Sequence, residues 1–163
     1  MSRIEKSGFT LNALKCKFFQ KELEYLGHII GGGRVSLDPK RISVIQNFPT
    51  PRNVREVRRF IGMAQFCRRF IKDLNMVLSP LYDLTKAKVQ FEWSSDCQDA
   101  FDLLKRMLTT PPVLVSPTDK SVFILETDAS DIGSGYCLKV SDNANQEFIV
   151  GYGSSKFQKS ELN

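Results

Sequence analysis

The 163-residue sequence has one histidine, His28, and one tryptophan, Trp93. A lone histidine excludes any site that needs two and leaves little room for a Ser-His-Asp triad. The four cysteines, Cys16, Cys67, Cys97 and Cys137, lie far apart and form no Cys-x-x-Cys pair. That disfavours a zinc knuckle and a disulfide-dense secreted scaffold, and implies reduced thiols in an intracellular protein. No apolar run approaches the roughly 20 residues that span a bilayer. The polar start, Met1 to Lys6, has no signal-peptide character. No membrane partner is therefore expected. Repeats and low-complexity tracts are also missing. What is present is a globular balance, 42% hydrophobic and 25% charged, which supports a core and argues against disorder.

Charge is unevenly placed. Between Arg34 and Lys72 ten Lys or Arg face two acids, a net of +8, whereas Phe91 to Asp131 holds eight acids and three bases, a net of −5. A basic block beside an acidic one implies two units with different tasks. The basic block suits a polyanion such as nucleic acid, or it is simply the solvated, arginine-rich face of a helix.

Punctuation along the chain predicts an α+β protein. Residues 4–33 read as a short helical end stopped by Gly8, then strands at 15–19 and 23–30. The run Gly31-Gly32-Gly33 supplies positive φ for a turn. It lacks the strand-then-helix context of a dinucleotide loop. Asp38-Pro39 marks a helix start, with the helix running to about Asn47 before Pro49 and Pro51. Asn53, with Glu56 as capping-box partner, opens a second helix. Its apolar stripe is Val54, Val57, Phe60, Ile61, Ala64, Cys67, Phe70, Ile71 and Leu74, one continuous face by spacing. Ser79-Pro80 repeats the cap device for a third helix to about Lys86. Ser94 or Ser95 caps a fourth, whose apolar face is Cys97, Phe101, Leu104 and Leu108. Residues 113–115 form a short strand or linker. Strands at 121–127, 134–140 and 147–152 make a three-stranded antiparallel meander.

Two spots carry candidate chemistry. Asp128 ends an apolar strand, where an unpaired carboxylate is costly to bury. It either helps to hold a hard cation such as Mg²⁺ or caps an ordinary acidic turn with Asp131 and Gly133. One carboxylate does not build a two-metal site, which needs several acids around ions roughly 3.5–4 Å apart. His28, after Leu26-Gly27, either meets a phosphate or sugar or is a packed structural ring. Phe60 and Phe70 fall on the core stripe; Phe66 falls off it and is free to do something else.

Taken in order, the motifs resemble the Pol polyprotein of Ty3/gypsy-type LTR retrotransposons, from the end of the reverse transcriptase palm into the RNase H domain. The resemblance rests on Gly8-Phe9-Thr10-Leu11-Asn12, Tyr25-Leu26-Gly27-His28-Ile29, Asp38-Pro39-Lys40-Arg41-Ile42 and Phe48-Pro49-Thr50-Pro51. It continues through Val57-Arg58-Arg59-Phe60-Ile61-Gly62, Arg68-Arg69-Phe70-Ile71, Leu84-Thr85-Lys86, Phe91-x-Trp93, Pro112-Val113-Leu114 and Thr127-Asp128-Ala129-Ser130. It implies a palm remnant and primer-grip hairpin over 1–37, a helical thumb over 38–90, a connecting segment over 91–118, and the N-terminal part of an RNase H-like domain over 119–163.

On this resemblance the chain is a fragment of a reverse transcriptase–RNase H that holds RNA–DNA hybrid or duplex template–primer. The implied nucleic-acid-binding residues are Leu26, Gly27, His28, Lys40, Arg41, Arg58, Arg59, Arg68 and Arg69. Asp128 matches the family's first RNase H metal ligand, for Mg²⁺ in the complete enzyme. The remaining parts of Pol are implied partners.

The departures matter too. The family's polymerase aspartates form a Tyr-x-Asp-Asp motif, and this chain has no Asp-Asp pair. The next RNase H glutamate is expected several residues beyond Asn163, so Glu161 takes no role. Phe66-Cys67 stands where the family has Tyr-Tyr, and 133–138 reads Gly-Ser-Gly-Tyr-Cys-Leu in place of the common Gly-Ala-Val-Leu. The chain alone is therefore expected to be inactive and to hold no Mg²⁺ stably. The alternative is a retroelement-derived, non-enzymatic module that binds nucleic acid or protein. The truncated RNase H-like sheet is expected to expose Phe148-Ile149-Val150 on its third strand, loosely coupled to the thumb.

Overall fold

Positive-φ turns decide where the first strands end. The computed structural model describes residues 2–157, so Glu161 and the rest of the C-terminal tail lie outside the described residues. After a short helix α1 (Ser2–Lys6), stopped by Gly8 at φ +73°, the chain forms strands β1 (Glu22–Tyr25), β2 (His28–Gly31) and β3 (Arg34–Leu37). Leu26 and Gly27, at φ +49° and +78°, turn β1 into β2. A two-residue turn with both φ positive matches strand twist and makes the tightest hairpin. Gly32 and Gly33, at φ +55° and +71°, turn β2 into β3.

Two expectations change here. The stretch at 23–30 is two strands, because the Leu26-Gly27 turn divides it. Residues 15–19 form no strand: Ala13–Lys15 is a 3₁₀ turn, and β1 already has its ladder partner in β2. A distant strand completes the sheet. β4 (Leu114–Val115) pairs antiparallel with β3, Leu114 opposite Val35, giving the order β1-β2-β3-β4.

The helical layer starts where the caps predict. In α2 (Pro39–Gln46) the buried Asp38 accepts the Lys40 amide at 2.9 Å. In α3 (Val54–Phe66) the Asn53 side chain accepts the Glu56 amide at 2.9 Å, and Glu56 reaches back to the Arg52 amide at 2.7 Å, one residue earlier than a standard capping box. The stripe on α3 is buried as its spacing requires, but the helix stops at Phe66. Arg68–Phe70 is a 3₁₀ turn, Asp73 takes φ +53°, and α4 (Leu74–Val77) resumes. Cys67, Phe70, Ile71 and Leu74 stay buried throughout. A spacing of three suits a 3₁₀ turn as well as an α-helix, so periodicity alone does not register the break.

Helix α5 (Ser79–Asp83) is shorter than expected, and Ser79 is its first residue, not its cap. Its hydroxyl accepts from Lys156 at 2.6 Å instead. Helix α6 (Ser95–Met107) is capped by Ser94, and Cys97, Ala100, Phe101 and Leu104 turn inward. An aromatic chain crosses the core: Phe48 on Phe60 at 5.5 Å, Phe60 on Phe101 at 4.6 Å, and Trp93 edge-on to Phe101 at 5.9 Å. No helix of the described residues is long and apolar enough to cross a membrane.

The second sheet is the expected meander with longer strands: β5 (Val122–Ser130), β6 (Gly133–Ser141) and β7 (Glu147–Lys156). Asp142 shapes the β6–β7 loop by accepting the amides of Ala144 and Gln146. The edge left open is β5, not β7. Val122, Phe123 and Leu125 are more than half exposed, whereas Val150 is buried. The helical layer covers β7. Asn75 donates its amide to the Ser154 hydroxyl at 3.0 Å and its side-chain NH₂ to the Ser154 carbonyl at 2.5 Å. Arg69 donates to the Val150 carbonyl at 3.2 Å, where the β6–β7 register shifts. A bulge leaves one residue without a cross-strand partner, and Arg69 takes up its free carbonyl.

Candidate nucleic-acid interface

Five of the nine residues expected to meet nucleic acid gather around one groove. The Asp38 amide donates to the Gly27 carbonyl at 3.2 Å, tying the first hairpin turn to the start of α2. Arg41, in the first turn of α2, lies over the Phe66 ring, 4.8 Å from its centroid. Gly27 presses on this pair: a Cβ there would come 2.9 Å from Arg41 Nε and 3.0 Å from Phe66 Cζ. His28 stacks on Phe66 at 4.9 Å and on Phe70 at 5.7 Å, and is half-buried. Its packing is that of a structural ring. Leu26 stands at the tip, 72% exposed.

Beyond Phe66, α2 and α3 enclose a groove of about 270 Å³ lined by Arg41, Val44, Arg59, Gly62, Met63 and Phe66. Gly62 is a helical glycine with nothing within 4 Å of the place a Cβ would take. Glycine inside an exposed helix costs about 1 kcal/mol relative to alanine. What it offers here is a floor that another backbone can approach. The groove therefore combines two exposed guanidinia, an apolar wall and a flat floor.

The other four residues lie elsewhere. Lys40 pairs with Glu24 at 3.3 Å, and both are exposed, so the pair adds little stability. Arg58 donates to the Thr85 carbonyl at 3.1 Å. Arg69 is bonded to Val150, and Arg68 lines a different cleft, against β7. Charge counting alone could not separate these arginines, because it does not say which side of a helix meets the core. Neither Gly62, which enters the sequence reading only as the end of a motif, nor Met63 is among the nine expected binding residues. A glycine inside a strongly periodic helix was the signal that could have found the first of them.

Cys67 is fully buried beside this site. Burial pushes its thiol up to about 11, against a smaller downward pull from Arg41. It is therefore protonated near neutral pH and does not act as a nucleophile.

Asp128 sits on β5 opposite Gly135 and is exposed. It lines a cavity of about 440 Å³ with Lys72, Asp73, Glu126, Lys139 and Tyr152. Glu126 is engaged by Lys139 at 2.5 Å, and Glu147 binds the same ammonium at 3.0 Å. The hydrogen bonds that the Lys139 ammonium donates to these two carboxylates, Glu126 first, hold its pKa well above the ordinary value. Asp73 reaches in from the turn before α4, and a Cβ on Gly135 would collide with its carboxylate. Among the described residues no three His, Cys, Asp or Glu side chains gather to share an ion. The donor set among the described residues does not fit a two-metal centre.

Residues 93–163 match the family described as the RNase H-like domain found in reverse transcriptase. That match takes in α6 and β4 as well as the second sheet. The retrovirus-related Pol polyprotein from transposon 412 of Drosophila melanogaster is 37% identical over 153 residues, 94% of this chain and 12% of that polyprotein. The transposon Tf2-3 polyprotein of Schizosaccharomyces pombe is 29% identical over 163 residues, all of this chain and 12% of that one. The chain thus spans about an eighth of these relatives' length.

Among solved structures, the foamy viral protease-reverse transcriptase in complex with RNA/DNA hybrid superposes with a TM-score of 0.72 at 22% identity, covering 88% of this chain and 19% of that one. The same enzyme in complex with dsDNA gives 0.73 at 22% identity, covering 88% and 30%. At that identity the likeness establishes the fold, α+β with a three-stranded antiparallel sheet.

Proposed function

The chain corresponds to a segment of Ty3/gypsy-type retrotransposon Pol polyproteins that includes an RNase H-like region, and on that premise we propose that it holds template–primer duplex along the α2–α3 groove without cutting it. One observation carries this reading. The Leu26-Gly27 turn is seated on Arg41 and Phe66 at the mouth of a groove that also presents Arg59 and the open Gly62. A duplex needs cations for its phosphates and a close-approaching surface for its backbone, and the groove has both. Leu26 and Gly27 would meet the strand end. His28 would act indirectly, by fixing the turn through its stack on Phe66 and Phe70.

RNA–DNA hybrid and double-stranded DNA are the partners bound in the foamy viral complexes, and this chain is proposed to take the same class. Holding without cutting is the reading that the composition supports. The sequence has no Asp-Asp pair, and the described residues give Asp128 no complete set of partners. Asp128 is proposed as one oxygen ligand of a Mg²⁺ site whose other ligands come from remaining parts of Pol.

The test is fluorescence anisotropy with a 16-base-pair RNA–DNA hybrid across salt. Arg41→Glu with Arg59→Glu should weaken binding and flatten the slope of log K against log salt by roughly 2, since each lost phosphate contact removes about 0.9. An unchanged slope would overturn the assignment of this groove.

A further inference from the structure

A second cleft, of about 410 Å³, opens between the Arg68–Phe70 turn and the second sheet, and shares no lining residue with the α2–α3 groove. Arg68 and Arg69 are on one wall, and among the described residues no carboxylate lines it. Among the described residues neither arginine pairs with an acid. Arg69 gives one N–H to the Val150 carbonyl, and the exposed Arg68 makes no such contact.

The opposite wall holds Tyr136. It lies across from Gly153 on the neighbouring strand, and a Cβ on Gly153 would collide with its ring carbons and hydroxyl. The tyrosine is thus laid flat over the glycine backbone, which rigidifies it. It stays 50% exposed, so the ring presents surface to the cleft. Asn75 and Ser154 are already bonded to each other and close the floor.

A rigid aromatic face beside unpaired guanidinium charge is the arrangement that binds unpaired bases: the ring stacks the base and the arginines take its phosphate. At about 410 Å³ the cleft has room for a nucleotide-sized group. We infer that this cleft binds single-stranded nucleic acid, with a base on Tyr136 and the adjoining phosphate on Arg68 and Arg69. This goes beyond duplex holding and does not depend on it.

The experiment titrates the full chain with a fluorescein-labelled, non-self-complementary single-stranded DNA of ten nucleotides, and in parallel with the hybrid used above. Tyr136→Ala should weaken single-strand binding about tenfold or more, and Tyr136→Phe should retain it, since the ring and not the hydroxyl does the stacking. Arg68→Ala should weaken it too and reduce the salt slope by about 0.7. Arg68 is exposed, so that variant tests the cleft even if Tyr136→Ala disturbs the sheet, which unchanged far-UV circular dichroism would exclude. Hybrid binding should respond to Arg41→Glu with Arg59→Glu and not to Tyr136→Ala. The inference is overturned by an unbound single strand, by unchanged affinity in Arg68→Ala, or by single-strand binding that follows Arg41 and Arg59 instead.

Discussion

Asn75 and Ser154, 79 residues apart, share two hydrogen bonds: amide to hydroxyl at 3.0 Å and side-chain NH₂ to carbonyl at 2.5 Å. Through them the helical layer takes up polar groups on β7 that a bare edge strand would leave to water or to another chain. The two halves of the molecule are joined there.

If that junction holds, Trp93 fluorescence and far-UV circular dichroism should report one shared thermal transition. Trp93 packs on Phe101 in the helical core, while the dichroism signal includes the second sheet. Asn75→Ala should lower stability by about 1–3 kcal/mol, because the Ser154 carbonyl loses its donor, and should separate the two melts. Non-coincident melts in the unaltered protein would contradict the coupling.

Gly27→Ala is expected to be worse than its size suggests. The residue sits at φ +78°, and the new methyl would push on Arg41 and Phe66. A cost of about 1–3 kcal/mol is expected in urea denaturation, together with weaker hybrid binding. Alanine at Gly62, which meets nothing within 4 Å, should raise helix stability slightly and weaken hybrid binding all the same. A Gly62→Ala protein that binds at full strength would remove the close-approach argument.

Phe60 and Phe101 are at the centre of the aromatic chain, both essentially fully buried. Phe101→Ala should cost about 3–5 kcal/mol, a large part of what a domain of this size has in reserve. Trp93 emission should shift to the red as its packing partner is lost.

The Cys67 thiol links stability to alkaline pH. Its pKa is about 11 in the folded protein against an ordinary value of 9.0. A raised folded-state value means the unfolded chain ionises first. The contribution is fully present below pH 9 and is lost as pH rises toward 11, on the order of 2 kcal/mol in all. Cys67→Ala should show a shallower loss of stability over that window. In the folded protein at pH 8, thiol reagents should modify Cys16, the half-exposed cysteine, and spare Cys67, Cys97 and Cys137.

With Mg²⁺ and an RNA–DNA hybrid, the chain by itself should release no RNA fragments above background. Cleavage that disappears in Asp128→Ala would refute this and would require ligands that the described residues do not supply.

Local rules were legible in the residues. Asp38, Asn53 and Ser94 cap the helices they were expected to cap, because a cap needs only an oxygen and an amide two or three residues away. The stripe from Val57 to Leu74 is buried as its spacing demands. Where it failed to register the break at Cys67, the spacing was one that both helix types satisfy. The basic block was visible as charge, yet the division of its arginines between the α2–α3 groove, Thr85 and Val150 was not.

By itself, then, the sequence determined most helix starts, the buried faces and the three-stranded meander. Only the tertiary structure decided that Leu114 completes the first sheet, that Arg41 and Phe66 support Gly27, and that Asn75 closes β7 while β5 stays open. The physical reason is range. Propensity and periodicity depend on neighbours within a few residues, whereas contacts across some 80 residues depend on which surfaces remain to be covered once every local element has formed.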